Sequence, residues 1–286
     1  MEKIIEKADV LIEALPYIKT FKQKVVVIKF GGSMLLNDDV RTGILQDMVF
    51  LSFVGIRPVL VHGGGPIINQ RMKASGIQPQ FVDGLRVTNK KSVPIAIEAL
   101  SDLNKQIVKE IRQLGGETKG LDETRKILKV KRHGLFKTIG YVGEISLVDK
   151  RPIIKLINRG CIPIIAPVGV IQSGKTNYNI NADDVSAHIA CSLKAEKLVL
   201  LTNVSGIIRN TEQGGSLIST LHVSEVETLI SHKIIQGGMI PKIKAAMLSL
   251  ESGVKKVHII DGRIKHSLLL EIFTDKGIGT EIVRDK

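Results

Sequence analysis

Two glycine-rich segments follow the first two predicted strands, at the points where each strand gives way to a helix. Residues 29–33 read Lys-Phe-Gly-Gly-Ser, and residues 62–66 read His-Gly-Gly-Gly-Pro. Glycine amides at such a turn can approach an anion without obstruction, and the positive end of the helix dipole favours negative charge. Since the carboxyl ends of neighbouring parallel strands share one edge of a sheet, the two loops together predict an anion site there.

Lys29 lies inside an apolar strand, where an ammonium group is costly unless it meets an anion. The alternative is that its side chain reaches along the strand to solvent. Its position just before the first glycine pair favours a phosphate as its partner.

Two later segments add charge at predicted helix entries. Residues 179–184 read Asn-Ile-Asn-Ala-Asp-Asp, and residues 237–242 read Gly-Gly-Met-Ile-Pro-Lys. We expect Asp183 to cap its helix and Lys242 to project from a first turn. Because a cation is disfavoured at a helix N-terminus, Lys242 indicates a nearby anion; an ordinary surface ion pair is the alternative.

Residues 169–176, Gly-Val-Ile-Gln-Ser-Gly-Lys-Thr, match the phosphate-binding pattern GxxxxGK[ST] letter for letter. In that motif the lysine and threonine open a helix, but here they precede the alternating segment 177–181. We therefore interpret residues 173–174 as the tip of a hairpin and Lys175 as a solvated turn lysine.

His62-Gly-Gly-Gly resembles the oxyanion loop of lipases, but no GxSxG nucleophile segment exists in the chain. A hydrolase is therefore disfavoured. We expect His62 to be a structural histidine rather than a general base.

Apolar runs alternate with amphipathic stretches, which predicts an α/β fold: a three-layer α/β/α sandwich around a mostly parallel sheet. The predicted strands are Val25–Phe30, Pro58–Val61, Leu128–Lys131, Ile162–Pro167, Lys197–Leu201 and Lys256–Ile260. The predicted helices are Asp39–Phe53, Ile67–Ala74, Val93–Leu114, Asp183–Leu193, Val223–Ile230 and Ile240–Glu251. Residues 118–144 are less regular and are interpreted as a β-hairpin lobe.

Residues 1–22 form a separate amphipathic helix, with apolar residues that step by four and three from Ile4 to Ile18. Pro16 is expected to kink or end it. We expect this helix to be either a partner contact or a packing arm.

The net charge of +13 raises the question of nucleic acid, but the basic residues are dispersed and aromatic residues make up only 3%. Attraction of polyanionic small molecules such as ATP explains the charge without nucleic acid. No apolar run is long enough to span a membrane. The two cysteines, Cys161 and Cys191, lack metal-site or disulfide spacing and indicate a reducing compartment.

Taken together, these motifs resemble those of the amino acid kinase family. They occur in the same order as in the family and cover the chain from about residue 25 onward. The resemblance also includes Gly84-Leu-Arg-Val-Thr88 and Leu201-Thr-Asn-Val-Ser-Gly-Ile207. It implies ATP-dependent phosphorylation of N-acetyl-L-glutamate, the second step of arginine biosynthesis, with Mg²⁺ accompanying ATP and no metal held by the protein. It divides residues 23–286 into an acetylglutamate lobe (about 23–180) and an ATP lobe (about 181–286).

The resemblance also implies the roles of individual residues. Lys29 and Lys242 stabilise the transferring phosphoryl group, and Asp183 orients them. The implied substrate-binding residues are Gly64, Gly65, Arg86 and Asn179; the implied nucleotide-binding residues are Gly32, Thr202, Gly206 and Gly238. The sequence departs from the family pattern at Asn203, where aspartate is usual.

Residues 1–22 and the tail 266–280 resemble the arginine-inhibited branch of the family. That resemblance implies a homohexamer, a trimer of dimers linked by the N-terminal helix, and an arginine site at His266, Glu271, Gly277 and Gly279. The alternative for the tail is an ordinary last helix ending at Gly277. In oxygenic phototrophs, enzymes of this branch can bind the PII signalling protein, which makes PII a further expected partner.

Several alternatives stay open at this stage. Relatives act on aspartate, glutamate, carbamate or UMP, and a non-catalytic nucleotide or arginine sensor would keep the glycine loops. The retained Lys29, Asp183 and Lys242 favour an enzyme. The acidic residues in 1–22 argue against a signal or transit peptide, and the Ile- and Lys-rich composition suggests an AT-rich genome. The expected compartment is the cytoplasm, or the chloroplast stroma if the gene is in a plastid.

Overall fold

The computed structural model describes residues 2–122, 126–171, 174, 176–209, 215–274 and 277–285. The strands are β1 (Val25–Phe30), β2 (Arg57–His62), β3 (Phe81–Val82), β4 (Leu85–Arg86), β5 (Thr118–Leu121), β6 (Leu128–Arg132), β7 (Gly143–Val148), β8 (Ile162–Ile165), β9 (Val168–Ile171), β10 (Asn177–Asn179), β11 (Lys197–Thr202), β12 (Ile208–Arg209), β13 (Ser216–Leu217), β14 (Thr220–His222), β15 (Lys256–Asp261) and β16 (Thr280–Val283). The helices are α1 (Glu2–Phe21), α2 (Asp38–Phe53), α3 (Gly65–Ala74), α4 (Ser92–Gln113), α5 (Phe136–Ile139), α6 (Arg151–Ile157), α7 (Ala182–Leu193), α8 (Val226–Ser231), α9 (Met239–Glu251) and α10 (Ser267–Ile272).

The main sheet has the strand order β14-β16-β15-β11-β1-β2-β8-β5. From β15 to β5 every neighbouring pair is parallel, whereas β16 runs antiparallel to β15. The carboxyl ends of β1, β2, β8, β11 and β15 therefore lie along one edge. Loops after these strands meet there, which is where open α/β sheets bind ligands.

Side chains of the central strands alternate between two buried faces. In β1, Val27 packs into a core with α7 and α9, whereas Val26, Ile28 and Phe30 pack into a core with α2 and α4. A strand buried on both faces reads as a continuous apolar run, which is why β1 is recognisable from sequence. The predicted three-layer α/β/α sandwich is confirmed.

A smaller sheet, β10-β9-β6-β7, corrects two predictions. The strand predicted at 128–131 belongs to this sheet and not to the main one. Residues 118–144 are not one hairpin lobe, because β5 pairs with β8 at the edge of the main sheet and only β6 and β7 pair antiparallel with each other. The short strand β5 has only weak apolar alternation, so the sequence pattern did not indicate its place in the fold. Pairing with the distant strand β8 determines that place.

The segment that mimics a phosphate-binding loop, residues 169–176, begins inside β9 and ends just before β10. Asn177 pairs antiparallel with Val170, and Asn179 pairs with Val168. Because a strand follows residue 176 where the motif demands a helix, the prediction that no helix opens here is confirmed. Residues 172, 173 and 175, which include the predicted turn lysine, lie outside the described residues.

Helix α1 continues through Pro16 to Phe21, so of the two expected effects of the proline, a kink or an end, the end is excluded. Contacts beyond the proline hold the last turn in place: the Tyr17 ring meets the Phe273 ring edge-on at 6.5 Å, and Lys197 Nζ lies 5.1 Å from the centre of the Phe21 ring. Earlier in the helix, Leu11 and Leu15 remain 66% and 57% exposed. In the described part of the chain, no helix is both long and apolar enough to cross a membrane.

The two-faced core predicts the effect of truncating one strand residue. Leu60 in β2 is fully buried against the α2 side of the sheet. We expect Leu60→Ala to lower the free energy of unfolding by about 2–5 kcal/mol, because it loses buried apolar surface and leaves a cavity. Urea unfolding followed by circular dichroism measures this loss.

The matched control is Leu147→Ala in β7, whose side chain is exposed. It should change the free energy of unfolding by no more than about 0.5 kcal/mol. Equal effects of the two substitutions would contradict the assignment of Leu60 to the core.

Candidate active site

The two glycine loops touch each other at the carboxyl edge of the sheet. The Gly63 N–H donates to the Phe30 carbonyl at 2.7 Å, and a Cβ on Gly63 would lie 3.1 Å from the Gly31 Cα. A side chain at Gly64 would collide with Leu100, its Cβ only 2.5 Å from Leu100 Cδ2. A side chain at either position would force neighbouring atoms to move, which favours glycine here.

Beside these loops lies a cavity of about 200 Å³. It brings together Lys29 and most of the residues predicted to bind substrate or phosphate: Gly32, Gly64, Gly65, Arg86 and Asn179. Its other lining residues include Phe81, Leu85, Val142 and Asn181, none of which was predicted to bind a ligand. A mixed wall of glycine backbone, one guanidinium and apolar side chains suits a small anionic ligand with an apolar stem.

Three predicted catalytic side chains form one buried ion cluster next to this cavity. Lys29 Nζ lies 3.0 Å from Asp183 Oδ1, and Lys242 Nζ lies 2.9 Å from Asp183 Oδ2. Asp183 is 6% exposed and Lys29 is 8% exposed. One carboxylate thus holds two ammonium groups, from β1 and α9, at the end of the cavity.

Asp183 reaches this position because another residue caps its helix. The Asn181 side chain accepts a hydrogen bond from the Asp183 N–H at 2.8 Å, so the expectation that Asp183 caps α7 is wrong. Asn181 is a preferred N-cap type two residues earlier, a signal available in the sequence. The Asp183 carboxylate is thereby left in the first turn and meets the lysines.

Lys242 is placed by the glycine turn that opens α9. Gly237 adopts a left-handed φ of +54°, and Gly238 is the N-cap residue of the helix. Lys242 then projects from the start of α9 toward Asp183, as the sequence predicted. Its ion pair lies inside the site and not on the surface.

Burial and the neighbouring charges shift the pKa values of Asp183 and Lys242. Burial alone would raise the pKa of Asp183, but Lys29 and Lys242 outweigh burial and hold that pKa below its usual range. Burial and the charge of Lys29 lower the pKa of Lys242, whereas the ion pair between Lys242 and Asp183 acts to raise it. Two cations share one anion, so an additional negative ligand would be stabilised here.

Arg86 also lines the cavity. Its Nη1 donates to Asn69 Oδ1 at 2.5 Å, and its Nη2 donates to the Gly65 carbonyl at 3.0 Å. The guanidinium also lies 4.9 Å from the centre of the Phe81 ring. Burial lowers the pKa of Arg86, yet arginine stays charged at any pH a folded protein tolerates.

Comparison with known proteins assigns the chain to a family. Residues 24–261 match the profile described as the amino acid kinase family. The chain belongs to the amino acid kinase family. The central parallel sheet and its glycine loops are therefore the fold of a phosphotransferase family, in agreement with the prediction from sequence.

Relatives cover nearly the whole chain. It is 46% identical over 284 residues to a protein named acetylglutamate kinase from Desulforamulus reducens, which covers 98% of this chain and 99% of the relative. It is 49% identical over 283 residues to a protein of the same name from Caldanaerobacter subterraneus subsp. tengcongensis, which covers 98% of this chain and 94% of the relative.

A solved structure of N-acetylglutamate synthase from Neisseria gonorrhoeae, in complex with coenzyme A and N-acetyl-glutamate, has a TM-score of 0.85 to this chain at 29% identity. The match covers 98% of this chain and 64% of the synthase, so the chain spans just under two thirds of the synthase's length. A second complex of that synthase, with coenzyme A and L-arginine, has a TM-score of 0.83 at 27% identity over 97% of this chain and 65% of the synthase.

The other nucleotide-side residues of this amino acid kinase family chain lie outside the cavity. Thr202 ends β11, next to β1, and its carbonyl accepts from the Gly262 N–H at 2.9 Å. Gly206 follows in the next loop with a φ of +139°, where a Cβ would lie 2.6 Å from Thr280 Oγ1. Gly238 opens α9. These residues sit on the β11 and α9 side of Lys29, and their role in binding ATP stays a prediction.

Most of the predicted effector residues line a second cavity, of about 800 Å³. Glu271, Gly277 and Gly279 face Tyr17, Thr20 and Phe21 of α1 across it, together with basic side chains of β11 and β15. Glu271 is buried against His258, with Lys197 Nζ 3.9 Å from its Oε1. Burial alone would raise the pKa of Glu271, but the hydrogen bond and charge of His258, the Ile278 N–H and the charge of Lys197 together outweigh it and lower the pKa.

His266 does not line this cavity, although the sequence grouped it with Glu271. Its Nδ1 lies 2.7 Å from Oδ1 of the buried Asp47 on α2, and its backbone is left-handed with a φ of +57°. Because His266 is the N-cap residue of α10 and Glu271 lies in the last turn, the helix separates the two side chains. A role for His266 in effector binding stays a prediction.

His62 is fully buried and serves structure, as predicted. Its Nδ1–H donates to the Gly63 carbonyl at 2.9 Å, and its Nε2 accepts from Asn104 Nδ2 at 3.1 Å. Asn104 also donates to the Ile164 carbonyl at 2.9 Å, which ties β2 to α4 and β8. Burial lowers the pKa of His62 to about 4, so the imidazole is neutral at physiological pH.

This depressed pKa makes stability depend on pH. Below about pH 6.5 the unfolded chain takes up a proton at His62, whereas the folded chain does so only near pH 4. The stability contributed by neutral His62 is therefore complete above pH 6.5 and is lost as pH falls toward 4. We expect the gap in unfolding free energy between wild type and His62→Gln to narrow by about 2 kcal/mol from pH 7.5 to 4.5.

Urea titrations at several pH values measure this gap. Gln70→Ala, a change at an exposed residue that does not titrate, is the control and should show no such narrowing. A constant gap for His62→Gln across this range would contradict the neutral buried imidazole.

Proposed function

We propose that this chain transfers the γ-phosphoryl group of ATP to the side-chain carboxylate of N-acetyl-L-glutamate, the second step of arginine biosynthesis. The observation that carries the proposal is the pair of ammonium groups, Lys29 and Lys242, held on one buried carboxylate beside a small cavity. The full-length relatives named acetylglutamate kinase support the choice of substrate.

The chemistry fits the charges of the site. A carboxylate nucleophile is already ionised at neutral pH and needs no general base, which agrees with the neutral, buried His62. The barrier comes from the attack of one anion on another. Fixed ammonium groups and glycine amides stabilise the charge that gathers on the transferring phosphoryl group, and they need no reorganisation during the reaction.

Each side of the site then has a role. Arg86 and Asn179 hold the α-carboxylate and neighbouring groups of acetylglutamate, with the amides of Gly64 and Gly65 on its oxygens. Gly32, Thr202, Gly206 and Gly238 hold the nucleotide on the other side of Lys29. Asp183 keeps both lysines aimed at the space between the two substrates.

Mg²⁺ enters the site as part of the substrate, MgATP. Both oxygens of Asp183 already face ammonium groups, and the part of the chain that the structure describes holds no group of three His, Cys, Asp or Glu side chains placed to bind a metal. A divalent ion carried in on the phosphates fits these surroundings, since Mg²⁺ is commonly held through substrate phosphates.

One assay separates the alternatives. ADP release is measured with N-acetylglutamate, glutamate, aspartate, carbamate and UMP, and thiol release is measured with acetyl-coenzyme A plus glutamate. We expect ADP release with N-acetylglutamate alone. Thiol release would favour a synthase, and nucleotide binding without turnover would favour a sensor.

Both lysines should act on the chemical step. We expect Lys29→Ala and Lys242→Ala each to lower kcat by roughly 10²-fold or more, because each removes a charge that matters most in the transition state. Steady-state kinetics in saturating MgATP and acetylglutamate measure this.

Lys244→Ala is the matched control, since Lys244 lies on the same helix but is exposed. Its kcat should be unchanged. Near-normal kcat in a folded Lys29→Ala or Lys242→Ala protein would contradict the proposed role of these lysines in phosphoryl transfer.

We also propose feedback inhibition by L-arginine at the second cavity. Its place between α1 and the tail, and the buried carboxylate of Glu271, support a guanidinium ligand. Arginine would have to compete with Lys197 for that carboxylate.

The exposed Leu11 and Leu15 on α1 fit a contact between copies, and a homohexamer built as a trimer of dimers is the proposed assembly. PII binding and the cytoplasm or chloroplast stroma remain proposals that rest on composition and resemblance alone.

Deletion of residues 1–22 tests both parts of this proposal. We expect catalysis to remain, arginine inhibition to disappear and the oligomer to fall to dimers, because α1 supplies one wall of the cavity and the exposed apolar face. Activity with and without arginine, and light scattering, measure these.

Glu271→Gln is the complementary variant, since it removes the negative charge but leaves α1 intact. It should weaken arginine inhibition without dissociating the oligomer. A deletion variant that stays hexameric and fully sensitive to arginine would refute the proposal.

A further inference from the structure

A single stripe of helix α3 holds the Arg86 guanidinium. Gly65, Asn69 and Met72 are spaced four and three residues apart, so they share one face of the helix. The Gly65 carbonyl accepts from Nη2 at 3.0 Å, and Asn69 Oδ1 and Met72 Sδ accept from Nη1 at 2.5 and 3.5 Å. Asn69 supplies the shortest of these contacts.

All three acceptors are electrically neutral. Arg86 is buried, and within the described part of the chain no carboxylate forms an ion pair with it. The ring of Phe81 adds a cation–π contact but no negative charge. A buried cation without a counter-ion is costly. The positive charge of Arg86 is therefore available to an anionic ligand that enters the cavity.

The geometry also fixes where that anion can bind. Nη1 makes two of the hydrogen bonds to α3 and Nη2 makes one, and Arg86 lines the same cavity as Gly64 and Gly65. The α3 N-terminus carries a partial positive charge, which disfavours a bare guanidinium and favours an anion between the two. Loss of the Asn69 contact would let the long arginine side chain leave this position.

We infer that Asn69 is a positioning residue for substrate binding: its neutral amide oxygen orients Arg86 toward the substrate's α-carboxylate without neutralising the guanidinium. The inference rests on the proposed function, because it assigns the substrate's carboxylate to Arg86. It explains why an asparagine suits this position, since an aspartate would satisfy the same hydrogen bond but compete with the substrate for the charge.

The test compares Asn69→Ala, Asn69→Asp and the neighbouring exposed Gln70→Ala. Both Asn69 variants should raise the KM for N-acetylglutamate by roughly tenfold, the value of one hydrogen bond to a charged group. Their kcat and their KM for ATP should stay within about threefold of wild type, because binding of the remote carboxylate is the same in ground and transition states. Gln70→Ala should match wild type.

Asn69→Asp separates positioning from mere structural support. It keeps the acceptor and the size of asparagine, so its melting temperature should equal or exceed that of wild type while its KM rises. If Asn69 only supported the fold, Asn69→Asp would bind substrate normally, and that result would overturn the inference. Because Asn69→Asp is isosteric, it also covers the case in which Asn69→Ala does not fold.

A double-mutant cycle tests the route through Arg86. In an Arg86→Ala background, Asn69→Ala should raise the KM for N-acetylglutamate no further. Independent, multiplying effects would overturn the inference while leaving the proposed function intact. Absence of N-acetylglutamate turnover by wild-type protein would instead overturn the proposed function, and the inference with it.

Discussion

The structure of the site depends on one buried carboxylate between two ammonium groups. Asp183 binds Lys29 from the first strand and Lys242 from a helix almost at the other end of the chain. Removal of charges from water is costly, so such a cluster persists only when its geometry is fixed by its surroundings. Two cations on one anion leave the site ready for a further negative charge, which is the requirement for joining two anionic substrates.

The surrounding elements serve to hold that cluster. Parallel pairing of β1 with β2 and β11 places the ends of these strands side by side, and the contact between Gly31 and Gly63 brings the two loops together. Asn181 caps α7 and so releases the Asp183 carboxylate, and the left-handed Gly237 sets the start of α9. His62 stays neutral among these charges because its complete burial lowers the pKa of the imidazole to about 4.

The sequence was most informative where one local pattern decided the outcome. The bounds of β1 were predicted to the residue, because a strand buried on both faces is a plain apolar run. The match to a phosphate-binding loop at residues 169–176 could be rejected, because strand-forming residues follow it where the motif requires a helix. Predictions failed where distant contacts decided. β5 joins the main sheet by pairing with β8, and α1 continues through Pro16 toward its contacts with the tail.

The sequence by itself determined the glycine loops, the apolar strands and the presence of Lys29, Asp183 and Lys242, because each has a local chemical reason to be unusual where it stands. Tertiary structure decided which of these meet. The 2.9 Å and 3.0 Å ion pairs join residues far apart along the chain, and the contact from Asn69 to Arg86 joins a helix to a separate hairpin. Spacing along a chain cannot fix such distances, since they follow from strand order and helix packing.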